Sequence, residues 1–120
     1  MTRAEAIVRY ESLRQTGVEA AAYGELIGRY EWGQGLWKLP SRMHGGIVRW
    51  VLFGIIPGEF LQAVIRGDLF DAGARADDEN QRLLFEYAYV LHNYVPNGAK
   101  GPNALGTWKG IYPEEPGEAA

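Results

Sequence analysis

"LLFEYAYVLHNYVP" (residues 83–96) places apolar or aromatic side chains at Leu83, Leu84, Tyr87, Ala88, Leu91, Tyr94 and Val95. Intervals of three and four residues put them on one stripe of an α-helix, whereas a strand would scatter them over both faces. Pro96 has no amide donor and Gly98 follows it, so the helix should stop there. One apolar stripe of this length needs other helices to cover it, and the chain on the N-terminal side supplies them.

Immediately upstream lies "DLFDAGARADDEN" (residues 68–80), with five carboxylates in thirteen residues. A calcium loop of the EF-hand type begun at Asp68 would have Phe70 and Ala72 at ligand positions, so it fails. A general acid–base pair needs one desolvated carboxyl, and nothing here marks a closed pocket. The stretch reads instead as helix punctuation. Asp68 caps a short helix "LFDAGARA", and Asp77 caps the long helix after it. Asp78 and Glu79 then sit in the first turn, where the helix dipole favours negative charge.

Further back, Phe60, Leu61, Val64 and Ile65 mark a helix with Pro57 as its first residue. Another starts at Ser41, with Met43, Ile47, Val51 and Leu52 on its buried side. "EWGQGLWKLPS" (residues 31–41), with two glycines and Pro40, reads as a loop carrying Trp32 and Trp37. "VEAAAYGELIGRY" (residues 18–30) suits a helix weakened by Gly24 and Gly28. Thr2 and Glu5 have the spacing of a capping box before a first helix over residues 3–16, stopped by Gly17, with Ile7, Tyr10 and Leu13 at helical spacing. Beyond residue 96, turn-forming residues dominate, with one short helix before Trp108. The expected fold is all-α: a compact bundle of about five helices with a Trp-rich loop and an irregular C-terminal tail. A single domain is expected over residues 1–112, followed by a flexible acidic tail over 113–120.

With 120 residues, 47% of them hydrophobic and 22% charged, the chain can bury a core and is not compositionally disordered. Arg3, Glu5 and Arg9 interrupt the N-terminal stretch, so no secretory signal is expected. "IVRWVLFGII" (residues 47–56) is too short for a membrane span and contains Arg49. There is no cysteine, which excludes disulfides, thiolate metal sites and cysteine nucleophiles, and fits a cytoplasmic protein. A net charge of −3 gives no pull toward nucleic acid, and no basic helix or RNA-binding aromatic signature occurs.

Candidates for catalysis are few. Ser41 and His44 are close, but no third group is indicated to orient the imidazole. His92 falls beside the Leu91 face and reads as a core-boundary histidine with one hydrogen bond. No HExxH or Glu-x-x-His pairing marks a metal site. "GPNALGTWKG" (residues 101–110) has threonine where a phosphate loop needs lysine. No catalytic residue, metal or cofactor is assigned.

The segment "RYEWGQGLWKLPSRMHGGIVRW" (residues 29–50) is different. It holds three of the four tryptophans, Tyr30, three arginines, Lys38 and His44, with Glu31 as its one acid. Trp, Tyr and Arg dominate binding hot spots, and aromatics interleaved with cations can also sandwich a base while pairing its phosphates. The alternative is that Trp32, Trp37 and Trp50 cover a thin core while the arginines reach outward.

Residues 44–96 carry a denser pattern: Gly46, Trp50, Gly54, Pro57-Gly58, Phe60-Leu61, Ala63-Val64, Asp68-Leu69, Ala72, Ala76-Asp77, Asn80, Leu91, Asn93 and Pro96. This pattern resembles a family of small, largely uncharacterised phage and prophage helical proteins. It covers a little under half of the chain; residues 1–43, with the Trp-rich loop, lie outside it. Two departures stand out: His92 where the family often has tyrosine, and "AKGPNALGTW" where it often has a Trp-Gly-Ser-Pro-like turn. The resemblance implies provenance and a helical core rather than a reaction. Small phage proteins often act as accessory factors, so inhibition of a host defence protein by direct binding is the expectation that follows.

The leading expectation is thus a non-catalytic phage accessory protein that binds and inhibits a host defence protein. Its binding residues are drawn from Trp32, Trp37, Arg42, His44, Arg49, Trp50 and Lys100, with the surface centred on Trp32, Trp37, Arg42 and Trp50. A second reading is a sponge for a small anionic nucleotide, with Arg42, His44, Arg49 and Lys100 as phosphate partners. A third is a small enzyme using His44 or His92. Self-association as a homo-oligomer is compatible with all three.

Overall fold

The computed structural model describes residues 1–16 and 18–114, and the described chain is helical throughout, with no strand. Its helices are α1 (Arg3–Gln15), α2 (Glu19–Ile27), α3 (Tyr30–Gly35), α4 (Ser41–Phe53), α5 (Glu59–Arg66), α6 (Leu69–Arg75), α7 (Asp78–Arg82), α8 (Leu84–Tyr94) and α9 (Ala104–Thr107). Single 3-10 turns occupy Leu36–Lys38 and Asn97–Ala99. The all-α class is as expected, but about five helices is too few. Gly17, expected to end α1, lies outside the described residues, as does the expected tail beyond Glu114.

Locally encoded features behave as the sequence suggests. Thr2 accepts from the Glu5 amide at 3.1 Å while the Glu5 carboxylate accepts from the Thr2 amide at 2.9 Å, which completes the capping box. Asp68 caps α6 through the Asp71 amide at 2.9 Å, and Asp77 caps α7 through the Asn80 amide at 2.8 Å. That hydrogen bond, ahead of the nearby Arg42, holds the Asp77 carboxyl below the usual carboxylate range. The helix that Asp77 starts is short, however. Leu83 leaves helical geometry (φ −108°, ψ 13°), so the single long helix expected there is two, α7 and α8. Pro57 also falls outside α5, because Gly58 takes the extended cap geometry and Glu59 begins the helix.

One continuous core links α1 to α9. Helix α4 runs through its centre and buries Ile47, Val48, Trp50, Val51, Leu52 and Phe53. On α8 the inward residues are Tyr87, Val90 and Leu91. Ala88, expected on that stripe, is exposed, as is Ile7 on α1, whose buried residues are Ala6 and Tyr10. Asn80 is buried, and its side-chain oxygen accepts from the Tyr87 hydroxyl at 2.6 Å. The burial of that hydroxyl pushes the Tyr87 pKa well above the ordinary tyrosine value.

The segment after α8 satisfies backbone carbonyls at three helix ends, which otherwise lack partners. Lys100 Nζ donates to the Leu91, His92 and Val95 carbonyls closing α8. The Gly101 amide donates to the Ile65 carbonyl of α5 at 2.8 Å. At the end of α4, the Ile111 and Tyr112 amides donate to the Val51 and Leu52 carbonyls at 3.0 and 2.8 Å. Gly54 and Gly110 permit this last approach. Both have positive φ (70° and 100°), and a Cβ on either would come within 2.7 Å of opposing backbone.

Candidate binding surface

The tryptophan-rich segment is not a loop. Tyr30–Gly35 forms α3 and Leu36–Lys38 continues it as a 3-10 turn. The two glycines read as helix breakers are instead points of close contact. A Cβ on Gly33 would lie 2.3 Å from the Ala20 carbonyl oxygen of α2, and one on Gly35 would lie 2.3 Å from the Tyr94 ring of α8. Glycine is required here for proximity, so its low helix propensity is offset by packing.

Close packing of α2 against α3 decides which side chains face out. Leu36 and Leu39 are buried, while Trp37 is 58% exposed and Tyr30 75% exposed. Between the helices lies an open groove of about 770 Å³, lined by Val18, Ala21, Gly24, Tyr30, Gly33 and Trp37 among others. The charged side chain on its wall, Glu25, is engaged by Arg9, whose Nε and Nη2 donate to it at 2.6 and 2.8 Å. That pairing holds the Glu25 carboxyl below its usual range. The groove therefore presents two exposed aromatics of the α3 segment, Tyr30 and Trp37, beside glycine and alanine.

The other residues singled out from the sequence do not converge on it. Trp32 is half-buried against the core, with the Arg29 guanidinium 5.0 Å from its ring centroid. Trp50 belongs to the core and not to any surface: it is 1% exposed, and its indole N–H donates to the Ala99 carbonyl at 2.8 Å. His44 is buried beneath Trp37 (centroids 5.0 Å apart, edge to face), and its Nε2 donates to the Leu39 carbonyl at 3.0 Å. Its hydrogen-bond partner is thus a carbonyl and not the orienting carboxylate that a histidine-based enzyme would need. His92 is exposed rather than at the core boundary.

Arg42 is exposed and donates to Asp77 and Glu79 at 2.8 and 2.9 Å. Arg49 lies 3.6 Å from the Glu19 carboxylate and donates to the Tyr10 hydroxyl at 3.1 Å. That hydroxyl in turn donates to Glu19 at 2.7 Å, and burial, ahead of these partners, pushes the Tyr10 pKa up to about 12. Lys100 closes α8 as described, and burial holds its pKa below the usual lysine value. The four groups proposed as phosphate partners therefore face four different neighbours, and none lines the α2–α3 groove. Lys100→Met should leave three α8 carbonyls without their donor and cost about 1–2 kcal/mol. A thermal or urea melt checks this, and an unchanged midpoint would show that water replaces the ammonium.

The sequence reading passed over Tyr30 as a site residue. The signal was present, since Tyr30 and Trp37 are seven apart and share a helix face. It was hidden by reading Gly33 and Gly35 as breakers. Lys38, beside Trp37, sits 4.9 Å from the Tyr89 ring centroid and extends this surface toward α8.

Among the described residues no cluster of three or more His, Asp or Glu could hold a metal ion, and no helix is long and apolar enough to cross a membrane. No family model, curated protein or solved structure matches this chain, so its functional reading rests on its own residues.

Proposed function

We propose that this chain is a small non-catalytic accessory protein of phage origin that binds a host defence protein in the host cytoplasm and blocks it. Tyr30 and Trp37 of the α2–α3 groove make the central contact. The observation that carries this reading is the exposure of those two aromatics beside a small-residue groove, on a chain that buries Trp50 and half-buries Trp32 and Trp108. Large aromatics that anchor in a partner's pockets supply most of the energy of protein interfaces. The resemblance of residues 44–96 to small phage proteins supports the provenance. The engagement of Arg42, Arg49 and Lys100 within the fold favours a protein partner over a small anionic nucleotide.

Native mass spectrometry of the protein purified from its bacterial host, beside the Tyr30→Ser/Trp37→Ser variant, tests this. The wild type should carry a host protein, and the purified pair should recombine. The variant should lose it by at least ~30-fold in affinity while its melting curve stays close to that of the wild type. A folded variant that keeps the partner places the contact elsewhere. An adduct of a few hundred daltons that is lost on denaturation would replace this reading with nucleotide sequestration.

A further inference from the structure

Helix α8 is apolar on nearly every side. Tyr87, Val90 and Leu91 face the core, yet Leu84, Phe85, Ala88 and Tyr89 lie on its other faces, and its charge-bearing residues are Glu86 and His92. A helix that is apolar all round is ordinarily covered all round. Here Phe85 is 89% exposed, and beside it a groove of about 150 Å³ opens between α6 and α8, lined by Val64, Leu69, Ala72, Leu84 and Ala88 with the Gly67–Asp68 turn at its end. An apolar cavity of about 150 Å³ is large enough to hold a benzene ring. Phe85 does not line the groove that its neighbours Leu84 and Ala88 form.

We propose that this face binds the same face of a second copy of the chain. The two α8 helices run antiparallel about a twofold axis, and Phe85 of each copy seats in the α6–α8 groove of the other. Three features favour a second copy over a different protein. The projecting ring and the groove lie side by side on one helix, so a twofold axis makes the contact reciprocal, as an isologous interface requires. The one carboxylate at the groove's end, Asp68, is paired within its own chain, 3.8 Å from the Arg66 guanidinium. No unpaired charge in the groove therefore selects a different partner. The area is also of the right order. At 150–250 Å² per aromatic, Phe85 and the 90% exposed Phe70 leave roughly 350 Å² in water. Leu69 and Tyr89 bring the apolar area to about 550 Å² per copy, against about 800 Å² per partner, polar surface included, in a stable interface.

Sedimentation of the full chain from about 1 to 100 µM should show a concentration-dependent dimer. Phe85→Asp should raise its dissociation constant ~30-fold or more. Ala88→Arg, which closes the groove from an exposed position, should do the same, and both variants should keep the helical circular dichroism of the wild type. Tyr30→Ser/Trp37→Ser should dimerise as the wild type does, which separates this proposal from the host-binding one. A chain that stays monomeric assigns the face to a different occupant and overturns the proposal. A dimer insensitive to both substitutions, or lost only in the Tyr30/Trp37 variant, overturns it equally.

Discussion

Trp50→Ala should cost about 3–5 kcal/mol, the usual range for emptying a buried aromatic site. That is a large share of the 5–15 kcal/mol by which domains are ordinarily stable, so we expect an unfolding midpoint far below that of the wild type. The indole fills the core between α4 and the segment after α8, and its N–H satisfies the buried Ala99 carbonyl. Trp50→Phe separates the two contributions, since it keeps most of the packing and leaves the carbonyl unpaired, at about 1–3 kcal/mol. Urea denaturation followed by far-UV circular dichroism measures both. A Trp50→Ala midpoint close to the wild-type value would mean that the site collapses around the loss, and the central place of α4 in the core would have to be abandoned.

The second large effect has a sign that helix propensity gets wrong. Alanine is favoured over glycine inside a helix by about 1 kcal/mol, so Gly33→Ala should stabilise α3 on propensity alone. The added methyl, however, would lie 2.3 Å from the Ala20 carbonyl oxygen and within 3.2 Å of the Gly24 backbone. Those are backbone atoms, so α2 and α3 must separate, at the upper end of the 1–3 kcal/mol that overpacking costs. The net expectation is destabilisation by about 2 kcal/mol and a melting temperature lower by roughly 5–10 °C. Gly73→Ala in α6 is the control. A Cβ there meets nothing within 4 Å, so propensity should win and the melting temperature should rise. A Gly33→Ala variant as stable as the wild type would show that the two helices are not in the close contact described. Because Tyr30 and Trp37 flank the same groove, the destabilised variant should also bind its partner poorly.

What could be read from the sequence was what neighbouring residues decide among themselves. The caps at Thr2, Asp68 and Asp77 need only an amide three residues on, and all three form. The apolar period of α8 is likewise a local fact. Trp37 and Trp50 show where that kind of reading ends. They lie in one aromatic, cationic segment, and nothing in its composition says that one indole is outside and the other is the largest fully buried side chain. The difference comes from residues far along the chain: Ala99 accepts from Trp50, and the Ala20 backbone abuts Gly33 and sets the roll of α3. Gly33 and Gly35 were misleading for the same reason, since a glycine that breaks a helix and one that lets another backbone approach look alike in sequence. The cations chosen as ligand partners are accounted for by Asp77, Glu79, Glu19 and the α8 carbonyls. Such pairing is invisible without the fold.

The way α4 ends bears on how the molecule is made. Its final carbonyls, on Val51, Leu52 and Phe53, accept from Ile111, Tyr112 and Arg3, so the helix is closed by the two extremes of the described chain. During synthesis, about 60 residues must be added after Phe53 before the Ile111 and Tyr112 amides exist, which takes roughly 3–12 s at 5–20 residues per second. For that interval the Val51 and Leu52 carbonyls at the end of the central helix have only water to satisfy them. A ribosome-bound chain that already contains α1 to α8 is consequently still open at its middle, and α4 is closed only once the segment with Ile111 and Tyr112 has been made.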